Sequence, residues 1–209
     1  MRVAAVAVLA AVACLMAAGC QAENVQTARF VKAAVRDDGD AASFARWLVH
    51  NTTYGVMATN SRQFSYPFGN IFSFSDGPVN NASGHIYFYA SPLDASVHDL
   101  QADPRCSLTV TQEDTGTCAL DPEDPTCGRL TFMGRVYNVS SAEEPFAKEA
   151  MFSRHPEMKN WSPGGSHQFR FMALEIHQLW LVNHYGGAAI IDPADYYAAK
   201  PKPPSTKRT

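Results

Sequence analysis

The stretch Pro92–Leu108, "PLDASVHDLQADPRCSL", decides how this chain is read. Leu93, Val97 and Leu100 recur at helical spacing, and Asp103 ahead of Pro104 stops the helix, because a residue before proline is pushed out of the α region. "RCSLTVTQ" then alternates, with Cys106, Leu108 and Val110 on one face of a strand. The stretch thus predicts a strand end, a short helix, a turn and a new strand.

Other strands flank it on both sides. "TYGVMATNS" and "NIFSFSDG" read as the first two, the second closed by the turn residues Asp76-Gly77. "HIYFYAS" is a third, with Ile86, Phe88 and Ala90 on one face and Tyr87 and Tyr89 on the other. "RLTFMGRVYNV" alternates through Leu130, Phe132 and Val136, and Gly134 marks a bend or bulge. "QFRFMALEIHQLWLVNHYGG" supplies one long or two short final strands. Two more segments read as helix. "DAASFARWLVHN" starts at Asp40 as N-cap and carries Phe44, Trp47 and Leu48 on one stripe. "SAEEPFAKEAMFSRHPEM" offers Ser141 and Glu144 as a capping box, with Phe146, Ala147, Ala150 and Met151 as its buried stripe. Strands in quick succession with few helices predict a mainly β, α+β fold, a Greek-key barrel with covering helices. Helices do not alternate regularly with strands, which argues against a doubly wound sheet.

At 209 residues, 46% hydrophobic and 18% charged, the chain suits one globular domain. A net charge of −3 provides no basic field for nucleic acid. Residues 1–22, "MRVAAVAVLAAVACLMAAGCQA", combine Arg2, an apolar run and small residues in the pattern of a cleaved secretory signal. A membrane anchor and a lipidated Cys20 are the competing readings; after signal removal no membrane insertion is expected. The folded domain is expected over residues 23–198, with Glu23–Ala34 as a helix or arm. Residues 199–209 read as a disordered, basic, proline-rich tail without an endoplasmic-reticulum retention signal. Four glycosylation sequons, at Asn51, Asn81, Asn138 and Asn160, fit a secreted glycoprotein. In "CALDPEDPTC", Cys118 and Cys127 bracket a polar loop with two prolines and are expected to form a disulfide, while Cys106 reads as a buried inert thiol.

No catalytic constellation stands out. The seven histidines (50, 85, 98, 155, 167, 177 and 184) show no metal-ligand spacing, no Gly-x-Ser-x-Gly elbow occurs, and Gly186-Gly187 precedes a β-like run. No metal site is expected.

"FSFSDGP", "YFYASPL", "DPRCSLTV", "FSRHPEMKNW" and "HYGGAAIIDPADYY" resemble the CREG family, the secreted cellular-repressor glycoproteins, from about Ala28 to Tyr197. The resemblance implies a split β-barrel related to the FMN-binding pyridoxamine 5′-phosphate oxidases. It further implies a homodimer, N-glycosylation, and delivery to endosomes and lysosomes through the mannose 6-phosphate receptor. Family members are generally regarded as non-catalytic, with the flavin site degraded.

Flavin-binding relatives place a Ser-Arg-Lys run at the start of the short helix, to meet the FMN phosphate. Registered on "DPRCSL", that run falls here on Asp94, Ala95 and Ser96; the Arg and Lys of the preceding strand fall on Phe68 and Ser73. Charge-assisted hydrogen bonds contribute roughly 1.5–3 kcal/mol each, so losing about three costs on the order of 5–9 kcal/mol. Nanomolar binding is worth only about 12 kcal/mol. The expectation is a protein with no cofactor and no enzymatic activity. The alternative is an FMN-dependent oxidoreductase whose phosphate site is rebuilt from Ser96, Arg105 or backbone amides. Haem handling is a third reading, with His155 or His184 as candidate ligands.

Overall fold

Alternation along the chain becomes antiparallel pairing throughout. In a computed structural model that describes residues 41–118, 120–161, 165 and 167–204, seven strands form one sheet. The expected signal, the arm Glu23–Ala34, the Asp40 cap, the third residue of the Asn160 sequon and the end of the tail lie outside the described residues.

After helix α1 (Ala41–Asn51) come β1 (Tyr54–Asn60), β2 (Pro67–Ser73) and β3 (Ile86–Ala90). Helix α2 (Ala95–Ala102) leads into β4 (Arg105–Thr111), and β5 (Arg129–Asn138) precedes helix α3 (Glu144–Arg154). The long β6 (Arg170–Val182), the short β7 (Ala189–Ile191) and helix α4 (Pro193–Ala198) complete the order. The strand order is β2-β1-β4-β5-β6-β3, with β7 on β6. Past the end of β2, Ser75 bridges Tyr87 of β3; their amide–carbonyl bonds measure 3.1 and 2.9 Å and join the two ends of the sheet into a barrel.

The barrel interior is filled by the inward residues of each strand: Met57, Phe72, Phe88, Leu108, Phe132 and Leu179 are all buried. Helix α1 packs Phe44, Ala45, Leu48 and Val49 onto this core. A second apolar cluster lies where α3 sets Ala147, Ala150 and Met151 against Tyr87 and Ala173. Strand β3 is therefore buried on both faces, Ile86 and Phe88 in one core, Tyr87 and Tyr89 against the other.

The irregularity signalled by Gly134 is real, but the extra residue sits on the partner strand. Met133 pairs with Gln178 and Gly134 with Ile176, leaving His177 as the inserted residue. The buried set on β6 accordingly shifts from Leu174 and Ile176 to Leu179 and Leu181. A Cβ at position 134 would lie 1.9 Å from the Glu175 carbonyl oxygen, so the crossing admits only glycine.

Several local expectations need correction. Leu93 precedes α2 and is 74% exposed, so the buried face is Val97 and Leu100. Strand β2 begins at Pro67, three residues before the predicted Asn70. The Ser141–Glu144 capping box does not form: α3 has Glu143 at its N-cap without a side-chain cap, and Ser140 Oγ accepts from the Glu143 amide at 3.3 Å. Phe146 is half-buried at the edge of the α3 stripe.

Candidate functional site

Helix α2 is N-capped by Asp94, as its sequence context favours: a short acceptor side chain in extended backbone just before the first turn. Asp94 Oδ1 accepts from the Ser96 amide at 2.8 Å and the Val97 amide at 3.3 Å. Across the groove, Asn70 Nδ2 of β2 donates to Asp94 Oδ2 and to Ser96 Oγ, both at 3.3 Å. Ser96 is wholly buried and Ala95 exposed. The amides that a helix N-terminus would turn toward an anion are thus already bonded to a carboxylate of the same chain.

The structure separates the two β2 positions named from the sequence. Phe68, Asn70 and Phe72 share the face toward the barrel interior, whereas Ser73 lies on the opposite face with Gly69 and Ile71, because side chains alternate along a strand. Ser73 is removed from the cradle on this ground, and Asn70 is the β2 residue that reaches it. Phe68 instead packs on Phe64, with ring centroids 5.9 Å apart. Arg105 is not free to rebuild a phosphate site either. At the far end of α2 its guanidinium donates to Asp103 at 2.9 Å from Nε and 2.6 Å from Nη2. These bonds hold the Asp103 carboxyl well below the usual carboxylate range and raise the guanidinium.

The histidines proposed for haem are placed differently. His155 is buried, and its Nε2 donates to the Phe74 carbonyl at 2.9 Å, which occupies that ring nitrogen. His184 is exposed beside Tyr185 on the turn before β7. The strongest histidine–carboxylate pair is one that sequence reading passed over: His50 Nδ1 to Asp76 Oδ1, 2.7 Å. It resembles a catalytic dyad, but His50 Nε2, where a substrate proton would be handled, is bonded to the Val79 carbonyl at 2.9 Å. No local signal in the sequence links them, because Asp76 lies 26 residues beyond the helix-terminal histidine.

Cys118 and Cys127 form a disulfide with Cα atoms 5.4 Å apart. Their sulfurs cluster with the Glu113 carboxylate, the one metal-type group among the described residues, but bonded sulfurs offer no thiolate to a metal. Cys106 is half-buried against the core, and burial pushes its thiol up to about 12, so it stays protonated and unreactive. The sequon asparagines Asn51, Asn81, Asn138 and Asn160 are all exposed. On the outer face of β1 and β2, Tyr54 and Val56 are 44% exposed and Ile71, directly opposite Val56, 60%. No helix among the described residues is long and apolar enough to cross a membrane.

An antiparallel sheet closed by one bridge, with helices on its outside, places the chain among the split β-barrels. A heme binding protein from Mycobacterium smegmatis has the same fold, with a TM-score of 0.65 at 20% identity over 78% of this chain and 62% of that one. Residues 36–198 match the family described as CREG, beta-barrel. The chain is 40% identical to human Protein CREG1 over 164 residues, covering 76% of this chain and 74% of that protein. Human Protein CREG2 is 40% identical over 167 residues, 77% of this chain and 57% of that protein. The chain belongs to the CREG family.

Proposed function

We propose that this chain is a secreted, N-glycosylated CREG-type protein that acts by binding, not by flavin chemistry. The observation that carries the reading is the Asp94 carboxylate on the Ser96 and Val97 amides. A phosphate arriving there would have to displace that carboxylate and then sit beside it, and like charges at close range repel. The residues present do not fit an FMN phosphate, and no catalytic step follows from them.

Partner surfaces are then the working parts. The exposed apolar face of Tyr54, Val56 and Ile71 suits a second copy of the chain, giving a homodimer. The exposed sequon asparagines suit glycans read by the mannose 6-phosphate receptor, with delivery to endosomes and lysosomes and a role in growth control or lysosomal function. Protein secreted from a eukaryotic host tests the reading. It should be colourless and show no saturable FMN uptake below about millimolar concentration, the level left by the lost phosphate ligands. A stoichiometric yellow chromophore would overturn it. Its gel mass should fall on enzymatic removal of N-glycans.

A further inference from the structure

The last turn of α1 carries His50, and the segment after β2 passes directly over it. Asp76 is 1% exposed, and its Oδ1 lies 2.7 Å from His50 Nδ1. Three residues on, the Val79 carbonyl lies 2.9 Å from His50 Nε2. A carboxylate and a peptide carbonyl can only accept, so both contacts are hydrogen bonds only when a proton sits on each side of the ring. A neutral imidazole carries one such proton. Without the second, either the Val79 carbonyl or the Asp76 carboxylate faces a lone pair. Asp76 Oδ2 has no hydrogen-bond partner, so the carboxylate depends on its other oxygen.

The rest of this segment is held by groups that do not titrate near neutrality. Arg46 Nη2 donates to the Ala82 carbonyl at 2.6 Å, and the Tyr196 hydroxyl donates to the Gly84 carbonyl at 3.1 Å. Ser83 is tied back to Asp76 through its amide at 2.9 Å and its hydroxyl at 2.6 Å. The near end, around the 64% exposed Val79, is reached from α1 by the His50 ring. We propose that His50, Asp76 and Val79 form a proton-operated clasp, which fixes segment 76–80 to the end of α1 in acid and lets it go as the pH rises.

The charged groups around the ring set the direction. From the segment, Asp76 favours the proton; from α3, Arg154 opposes it, its Nη2 donating to the His50 carbonyl at 2.8 Å. Arg46 and the buried Tyr196 phenol complete the group near Asp76, and the phenol stays neutral because burial holds it well above its ordinary value. The bond to Asp76 outweighs the cost of burial and raises His50 above the ordinary 6.5. A group raised in the folded state stabilises fully below its unfolded value and loses that contribution as pH climbs through the folded one. The clasp is therefore closed under acid conditions and opens on the neutral to alkaline side. Asn81, an exposed sequon residue, directly follows the segment that it controls, and its amide donates to the Pro78 carbonyl within it at 2.8 Å.

Two measurements on the full glycosylated chain test this. Imidazole NMR should show His50 titrating above the ordinary histidine value, and Asp76→Asn should return it to that value or lower. Hydrogen exchange, corrected for intrinsic rate, should show the Asn81 and Ser83 amides less protected at about pH 8 than at about pH 5.5, by up to about tenfold per pH unit across the titration. His50→Gln keeps one donor but cannot titrate, and its exchange should be the same at both pH values. That variant stands in if Asp76→Asn fails to fold. A His50 titration at or below the ordinary value, equal protection at both pH values in the parent chain, or an unchanged pH dependence in His50→Gln would each overturn the clasp.

Discussion

Asp94 shows how one side chain alters what a scaffold can hold. It caps α2 and in doing so occupies the two amides that an anion would need. Replacing it with alanine should destabilise the fold by about 1 kcal/mol, the usual worth of an N-cap, measured by urea unfolding. The same variant frees the amides but supplies no cation, so FMN titration of Asp94→Ala should still show no tight binding. Gly134 is a residue-scale constraint of the opposite kind. A methyl group there would enter the Glu175 carbonyl at the bulge, and Gly134→Ala should cost about 3 kcal/mol or more, seen as a lowered unfolding midpoint or loss of soluble protein.

Between elements, Arg46 joins parts of the chain that no local pattern connects. From α1 it donates to the carbonyls of Tyr197 at 3.3 Å and Ala199 at 3.0 Å, which secures the end of α4, and to Ala82 before β3. Arg46→Met keeps the apolar stem but strands those carbonyls, and a loss of about 2–4 kcal/mol is expected from hydrogen bonds to a charged donor. Proteolysis should then start at α4. The disulfide acts on a single excursion between the short helical turn after β4 and the start of β5. Closing so short a loop contributes about 2–3 kcal/mol in the chain-entropy account. Replacing both Cys118 and Cys127 with serine should lower stability by that amount while leaving the barrel's circular dichroism intact.

Over the whole molecule, the outer face of β1 and β2 leaves Val56 and Ile71 side by side and exposed, unlike the outer face of β3, which α3 covers. A charge in the middle of a buried apolar contact costs several kcal/mol unless paired. Ile71→Lys should therefore turn the proposed dimer into a monomer by sedimentation at micromolar concentration, with the fold unchanged. A parent chain already monomeric at that concentration would refute the proposed dimer.

What sequence alone determined here was whatever depends on near neighbours. Alternation marked β3, β4 and β5, Pro104 ended α2, and the quoted motifs led to the family. The predicted α+β split barrel is the fold observed. Tertiary structure decided the rest, because it depends on residues far apart in the chain. Strand parity sent Phe68 and Ser73 to opposite faces and put Asn70 at the helix start, a distinction that registration by motif does not see. The Ser141–Glu144 box yielded to the path of the chain into α3, and Leu93 faces solvent because α2 begins two residues later. The His50–Asp76 pair spans 26 residues and Arg46 reaches Ala199 across 153. Contacts of that range exist only once the barrel has closed, so no local pattern could announce them.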